Sequence, residues 1–233
     1  MRHRNRMGVN FTTTAEGIGD LRLTALTPLL RQGRMQLTGG MGISIPTGSI
    51  DETDATPLDP GATRNLPYPM QLGSGTWDLL PTITLAHHGE RLSWGAQANL
   101  VVRLGRNSND YALGDRFEVN SWVGYRVVPA FRIDARLAYE CWRDVDGADP
   151  EVMQSATMMG MTVPTVPTAR PNLRAGQRLT AYLGFDWEVP ASWIPVGKSA
   201  RLGFEIGTPL WRDLDGPQLD VSIRSVIGLQ IFW

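Results

Sequence analysis

Apolar and polar residues alternate along most of this chain with a period of two, the pattern of β-strands whose successive side chains point to opposite faces. The last thirteen residues show it most clearly. Val221, Ile223, Ile227, Leu229, Ile231 and Trp233 share one side with Ser225, while Ser222, Arg224, Gly228 and Gln230 share the other with Val226 and Phe232. The same alternation predicts strands over 201–210, 178–189, 131–142, 116–127 and 91–104, and weaker ones over 76–86, 34–45 and 20–29. In 131–142, for example, Phe131, Ile133, Ala135, Leu137, Tyr139 and Cys141 oppose Arg132, Asp134, Arg136 and Glu140. Nine strands of about ten residues or more result, the length a tilted strand needs to cross a bilayer. No stretch has convincing helical amphipathicity.

Alternation alone does not say which face is wet, because a soluble lipocalin-like barrel carries the same pattern turned inside out. Three further features favour the membrane form. Short connections (30–33, 87–90, 128–130 and the somewhat longer 190–198) alternate with generally longer ones (46–73, 105–114, 143–175 and 211–218), as periplasmic turns alternate with outer loops. Aromatic residues on the apolar faces gather near strand ends, at Trp94, Phe117, Tyr125, Phe131, Tyr139, Trp187 and Trp233, as two interfacial girdles would. The polar faces carry both charge signs close together. The expected fold is therefore all-β, an antiparallel up-and-down transmembrane barrel forming one domain over 1–233. Residues 1–16 make a ragged start, and 46–73 and 143–175 are long outer loops.

The terminal strand, ending on an aromatic residue, resembles the assembly signal of bacterial outer-membrane barrels. Leu229, Ile231, Phe232 and Trp233 carry that resemblance, which implies the lipid bilayer and the barrel assembly machinery as partners. With Trp233 on the periplasmic side, nine strands place the start of the first one outside the cell. Bacterial barrels normally have an even strand number, so at least one further strand is expected upstream. The basic start, Met1 to Arg6, is followed by no apolar segment of a signal peptide, and Met1 reads as an internal methionine or a truncated start.

Composition narrows the function. Twenty-two basic and 23 acidic residues leave a net charge of −1, which gives no nucleic-acid footprint. No apolar run reaches the roughly 18–20 residues of a membrane-spanning helix. The single cysteine, Cys141, excludes an internal disulfide and a thiolate metal cluster.

Several motifs then stand in order along the chain: Thr13-Thr-Ala-Glu-Gly-Ile-Gly-Asp20, Ile43-Ser-Ile-Pro-Thr-Gly48, Tyr68-Pro-Met-Gln-Leu-Gly-Ser-Gly-Thr76, Ser93-Trp-Gly-Ala-Gln97, Gly114-Asp115, Gly216-Pro-Gln-Leu219 and Gly228-x-Gln-x-Phe232. In these the chain resembles the outer-membrane transporter family labelled "meta-pathway of phenol degradation". The resemblance implies a barrel of about twelve strands preceded by a signal peptide, of which this chain carries the carboxy-terminal three quarters. It also implies passage of small organic solutes, aromatic ones included.

Candidate functional residues lie on the polar faces. Asp20, Arg22, Arg34, Asp78, Arg91, Arg103, Arg116, Glu118, Arg126, Arg132, Asp134, Arg136, Glu140, Arg178, Asp186, Glu188, Arg201, Glu205 and Arg224 are expected to line the lumen. Two readings stand side by side: a hydrated wall whose field selects solutes, and a packed core of ion pairs. Met153, Met158, Met159 and Met161 in the 143–175 loop could supply soft ligands to Cu(I) or adaptable apolar contacts. Asp144, Asp146 and Asp149 precede them and could hold Ca²⁺. The glycines of 17–20, 46–48 and 72–75 read as turns and bulges at a barrel rim rather than a phosphate cradle, since no helix follows them.

His3, His87 and His88 are the only histidines and sit where no outer-leaflet hydrolase would place its base, so no catalysis and no cofactor are expected. The expected function is passive passage of small organic solutes through the barrel. Two alternatives are a non-conducting surface or metal-binding barrel that uses the Met-rich loop, and a soluble barrel holding an apolar ligand.

Overall fold

The computed structural model describes residues 2–4, 10–55, 63–153, 156–158, 161–163, 167–190, 193, 199–218 and 221–232. Nine long strands dominate it: β1 (Leu21–Gln32), β2 (Met35–Ile45), β3 (Trp77–His88), β4 (Leu92–Leu104), β5 (Arg116–Val128), β6 (Phe131–Trp142), β7 (Gly176–Glu188), β8 (Ser199–Leu214) and β9 (Arg224–Phe232). Each pairs antiparallel with its neighbours in sequence, giving a single up-and-down sheet ordered β1 to β9. The expected all-β meander and its nine strands are observed.

Alternation sets the two faces, and the register carries each face across the sheet. Ser44, Asp78 and Arg103 stand abreast on β2, β3 and β4. Glu118, Glu140 and Arg178 do so on β5, β6 and β7. The sheet curls towards this polar face. The Arg224 guanidinium on β9 comes within 3.6 Å of the Glu140 carboxylate on β6, although three strand spacings in a flat sheet amount to about 14 Å.

Burial follows the polar face, not the apolar one. Ser44, Asp78, Asn120, Glu140 and Thr180 on the concave side are buried, whereas Ile83, Val123, Ile133, Leu137, Leu183 and Ile206 on the convex side are exposed. A soluble carrier barrel has the opposite order, with apolar side chains inside. A contiguous apolar face of this extent is foreign to a soluble monomer's surface. Aromatic residues mark both ends of that face: Trp94, Tyr125, Phe131 and Trp187 near the short turns, Trp77, Phe117, Tyr139 and Trp211 near the long loops. His87 joins the first group by stacking on Trp94, with 5.6 Å between ring centroids.

Three boundaries differ from expectation by three residues or more, the first being β1, which runs to Gln32 where a turn was expected from Leu30. β8 continues to Leu214, where a loop was expected from Trp211, and β9 begins only at Arg224. The cause in β8 is a bulge opposite Leu179/Thr180, which pair with Trp211 and Pro209 and leave Leu210 between them. The extra residue shifts the alternation by one, so that Leu210 and Trp211 are both exposed and the period-two signal breaks. At the other extreme of connection length, β1 and β2 meet in a tight turn at Gly33, whose φ of +57° requires the left-handed conformation that glycine tolerates.

Among the described residues the buried apolar cluster lies outside the sheet. Tyr68, Tyr111, Val145, Val152 and Ala169, with Leu113 against them, come from the three long connections 46–76, 105–115 and 143–175. All three leave the same end of the sheet and fold together as a layer with its own small core.

Candidate functional site

The charges of the concave face are sorted along the strands into three groups. Nearest the loop layer, Arg103 is paired with fully buried Asp78, which also accepts a hydrogen bond from Thr76 at 2.7 Å. Beside them, Glu140 is surrounded by three guanidinium groups: Arg116 and Arg178 hydrogen-bond to it, the Arg178 Nε at 3.0 Å, and Arg224 stands at 3.6 Å. Glu118 completes this group, 3.8 Å from Arg116, and accepts a hydrogen bond from Asn120.

Midway, Arg136 crosses the sheet to Glu205 in a two-pronged pair at 3.1 and 2.6 Å. It donates to Asn120 Oδ1 at 2.8 Å and lies 3.8 Å from the centre of the Tyr182 ring. A planar guanidinium suits this combination of forked pairing and stacking, which an ammonium group would not reproduce. Towards the short turns, Arg132 pairs with Asp186 and with Asp134 at 2.9 Å, and Arg201 stands 3.6 Å from Glu188.

Arg22 shares the concave row with Ser44 and has no ion pair among the described residues. Two of the residues expected on this wall are in turns. Arg34 lies in the β1–β2 turn, exposed and paired with Glu90 at 2.6 Å. Arg91 sits in the β3–β4 turn, whereas Arg126 keeps to the concave row at the turn end of β5, in register with Arg132. Alternation extrapolated past a strand end cannot separate a wall position from a turn position. Leu229 and Ile231 of the assembly signal are exposed on the convex side of β9; the Phe232 side chain and Trp233 are outside the described residues.

The loop layer is tied together by specific contacts. The Tyr68 and Tyr111 rings meet edge to face at 4.8 Å, and the Asp149 N–H donates to the Tyr68 hydroxyl at 3.1 Å. Burial pushes the Tyr111 phenol up to about 12 and raises Tyr68 as well. The three loop aspartates, candidates for Ca²⁺, take separate structural tasks. Asp144 accepts the N–H groups of Arg174 and Ala175, Asp146 pairs with Arg106, and Asp149 accepts from Glu151 and Val152. Arg106 holds the Asp146 carboxyl below its ordinary range. Among the described residues no group of three or more His, Cys, Asp or Glu side chains is arranged for a metal ion. Met153 is half-buried beside the loop core; the side chains of Met158 and Met161, and all of Met159, are outside the described residues.

One site that sequence reasoning missed centres on Asp20. Its carboxylate accepts from the Gly48 N–H at 3.1 Å and from the Ser74 N–H and hydroxyl at 2.8 and 2.7 Å. A Cβ on Gly48 would stand 2.7 Å from the Gly73 Cα, and one on Gly73 would strike the Gly48 oxygen. These glycines permit the two ends of the β2–β3 connection to pass in contact, a role beyond the turns and bulges expected of them. The signal was present, since the three motifs over 13–20, 43–48 and 68–76 all meet here.

Comparison with known proteins agrees with this architecture. The family model described as "Putative MetA-pathway of phenol degradation" matches residues 2–163. The chain belongs to this family. Among solved structures, an outer membrane channel from Pseudomonas putida F1 is similar in fold, with a TM-score of 0.58 at 14% identity. The similarity covers 92% of this chain and 67% of that one. No curated protein matches the chain.

Proposed function

We propose that this family member forms the wall of an outer-membrane channel that passes small organic solutes, aromatic ones included, by diffusion. The observation that carries the reading is the inverted burial of the sheet: apolar side chains such as Ile133, Leu137 and Leu183 are exposed, while Asp78 and Glu140 are buried. Lipid covers the first set and a hydrated lumen serves the second. The family description supports aromatic solutes, and the Pseudomonas putida channel supports the outer membrane as the site.

The two edge strands, β1 and β9, have no strand partner on their outer sides among the described residues. Lipid does not tolerate open sheet edges, so the reading includes further strands that close the wall. It involves no catalytic step and no cofactor.

Planar-bilayer recording of the full-length protein tests the proposal. Discrete, salt-dependent conductance steps are expected. Silence from a folded, heat-modifiable barrel would overturn the channel reading and leave the Arg–Glu groups as a packed ion-pair core.

A further inference from the structure

Between the loop layer and the concave face lies a cavity of about 550 Å³, within the roughly 300–1,000 Å³ range of small-molecule sites. Six arginines line it: Arg103, Arg116, Arg143, Arg174, Arg178 and Arg224, and among the described residues no Asp or Glu lines it. The carboxylates paired with arginines of this set, Asp78, Asp115, Glu118 and Glu140, are not among the residues that line the cavity. What a solute meets is therefore cationic.

Arg174 and Arg224 are among those with donors to spare. Arg224 is the third guanidinium on a single carboxylate and only 3.6 Å from it. Among the described residues Arg174 contacts no carboxylate with its guanidinium; its Nη1 has the carbonyls of Thr168 and Pro217 at 3.5 and 3.4 Å. Burial pushes Arg174 below its ordinary value, with Asp144 opposing that trend, and an incoming anion would do the same as Asp144. Each guanidinium offers five N–H donors in a fork that matches a carboxylate.

The opposite character is also present. Leu113, Val145, Leu214 and Val221 supply an apolar lining, and Trp142 presents its ring beneath Arg178 at 5.6 Å. Bare inorganic anions have no use for such a wall, and neutral hydrocarbons have no use for the arginines.

We propose that this cavity binds small organic carboxylates with an apolar body, the carboxylate held by Arg174 and Arg224. The proposal deepens the channel reading and rests on it for the route by which solute arrives.

The test is calorimetric titration of the full-length protein in detergent micelles with benzoate, benzyl alcohol and inorganic phosphate. Benzoate is expected to bind at least about tenfold more tightly than either other probe, the increment of one lost charge-assisted hydrogen bond. The combined Arg174→Gln and Arg224→Gln variant is expected to lose about tenfold in benzoate affinity, and Arg174→Lys alone to retain most of it. On the unaltered protein, raising NaCl from about 50 to about 500 mM is expected to weaken benzoate and not benzyl alcohol; this arm stands even if the double variant fails to fold.

Equal binding of benzoate and benzyl alcohol, or benzoate affinity unmoved by both the substitutions and salt, would overturn the site. Phosphate binding as tight as benzoate would overturn the apolar half of the proposal. Conductance without benzoate binding removes this site alone, whereas benzoate binding by a silent barrel removes the channel reading and leaves the site.

Discussion

The carboxylate of Asp20 accepts hydrogen bonds from both the backbone N–H and the hydroxyl of Ser74, 54 residues away. A third, from the Gly48 N–H, ties in the start of the β2–β3 loop. One side chain thus fixes the entry to β1 against the two ends of a long connection. Asp20→Ala removes a charged acceptor from three donors, one of them the backbone N–H of Ser74, itself a buried residue. A loss of about 2 kcal/mol is expected, since hydrogen bonds to charged groups contribute about 1.5–3 kcal/mol each and some are regained from water. Urea unfolding in detergent micelles measures it, and a change below about 0.5 kcal/mol, the ordinary surface-substitution level, would refute the assigned role.

Tyr111 predicts an alkaline weakness in the loop layer. Its phenol ionises near 10 in the unfolded chain and at about 12 in place. Below pH 10 both states hold the proton and its contribution is constant. Between 10 and 12 the unfolded loops bind fewer protons than the folded ones, so stability falls as pH rises, by up to about 2–3 kcal/mol at 1.36 kcal/mol per unit. Near-ultraviolet circular dichroism should show the tyrosine signal of the layer collapsing in that window while the far-ultraviolet strand signal persists. In Tyr111→Phe the same signal should hold to higher pH.

Much of the sheet was legible in the sequence because one physical rule, alternation, governs both faces of each strand. Met35–Ile45 and Phe131–Trp142 are found within a residue of their expected limits. The rule failed where a residue count departs from two, at the Pro209–Trp211 bulge, and where a strand gives way to a turn, at Arg34 and Arg91. It also placed Arg136 and Glu205 on one face without showing that they pair across an intervening strand, since curvature and side-chain reach decide that. The loop core was invisible for a further reason. Tyr68, Tyr111 and Val145 lie in separate connections with no periodicity of their own, and only their tertiary assembly makes them neighbours.

Glu140 is the hub of the charged wall, and its replacement should change what the wall attracts. Glu140→Gln keeps the shape and one acceptor but leaves Arg116, Arg178 and Arg224 without their shared counter-charge. Two outcomes are expected together. Stability falls by about 3 kcal/mol, as when one partner of a buried ion pair is removed. The reversal potential under a KCl gradient moves towards the chloride value, since the wall gains net positive charge. An unchanged reversal potential in a conducting variant would mean that ions do not pass this group.

The convex face supplies the most direct test of where the molecule resides. Leu183 is 67% exposed near the middle of β7, flanked across the sheet by Ala135 and Ile206. In water, a single Leu→Arg change on an open surface costs little, within about 0.5 kcal/mol. At the midplane of a bilayer the same change costs about 2–4 kcal/mol, because the guanidinium must be drawn from water into hydrocarbon or snorkel away from it. Leu183→Arg is therefore expected to lower stability in lipid vesicles by that larger amount. Leu21→Arg, at the loop end of β1 where the interface would lie, should cost about 0–1 kcal/mol. The contrast between the two positions carries the test: equal and small losses would remove the lipid-facing assignment, and a large loss at Leu183 alone has no counterpart in a soluble sheet exposed to water.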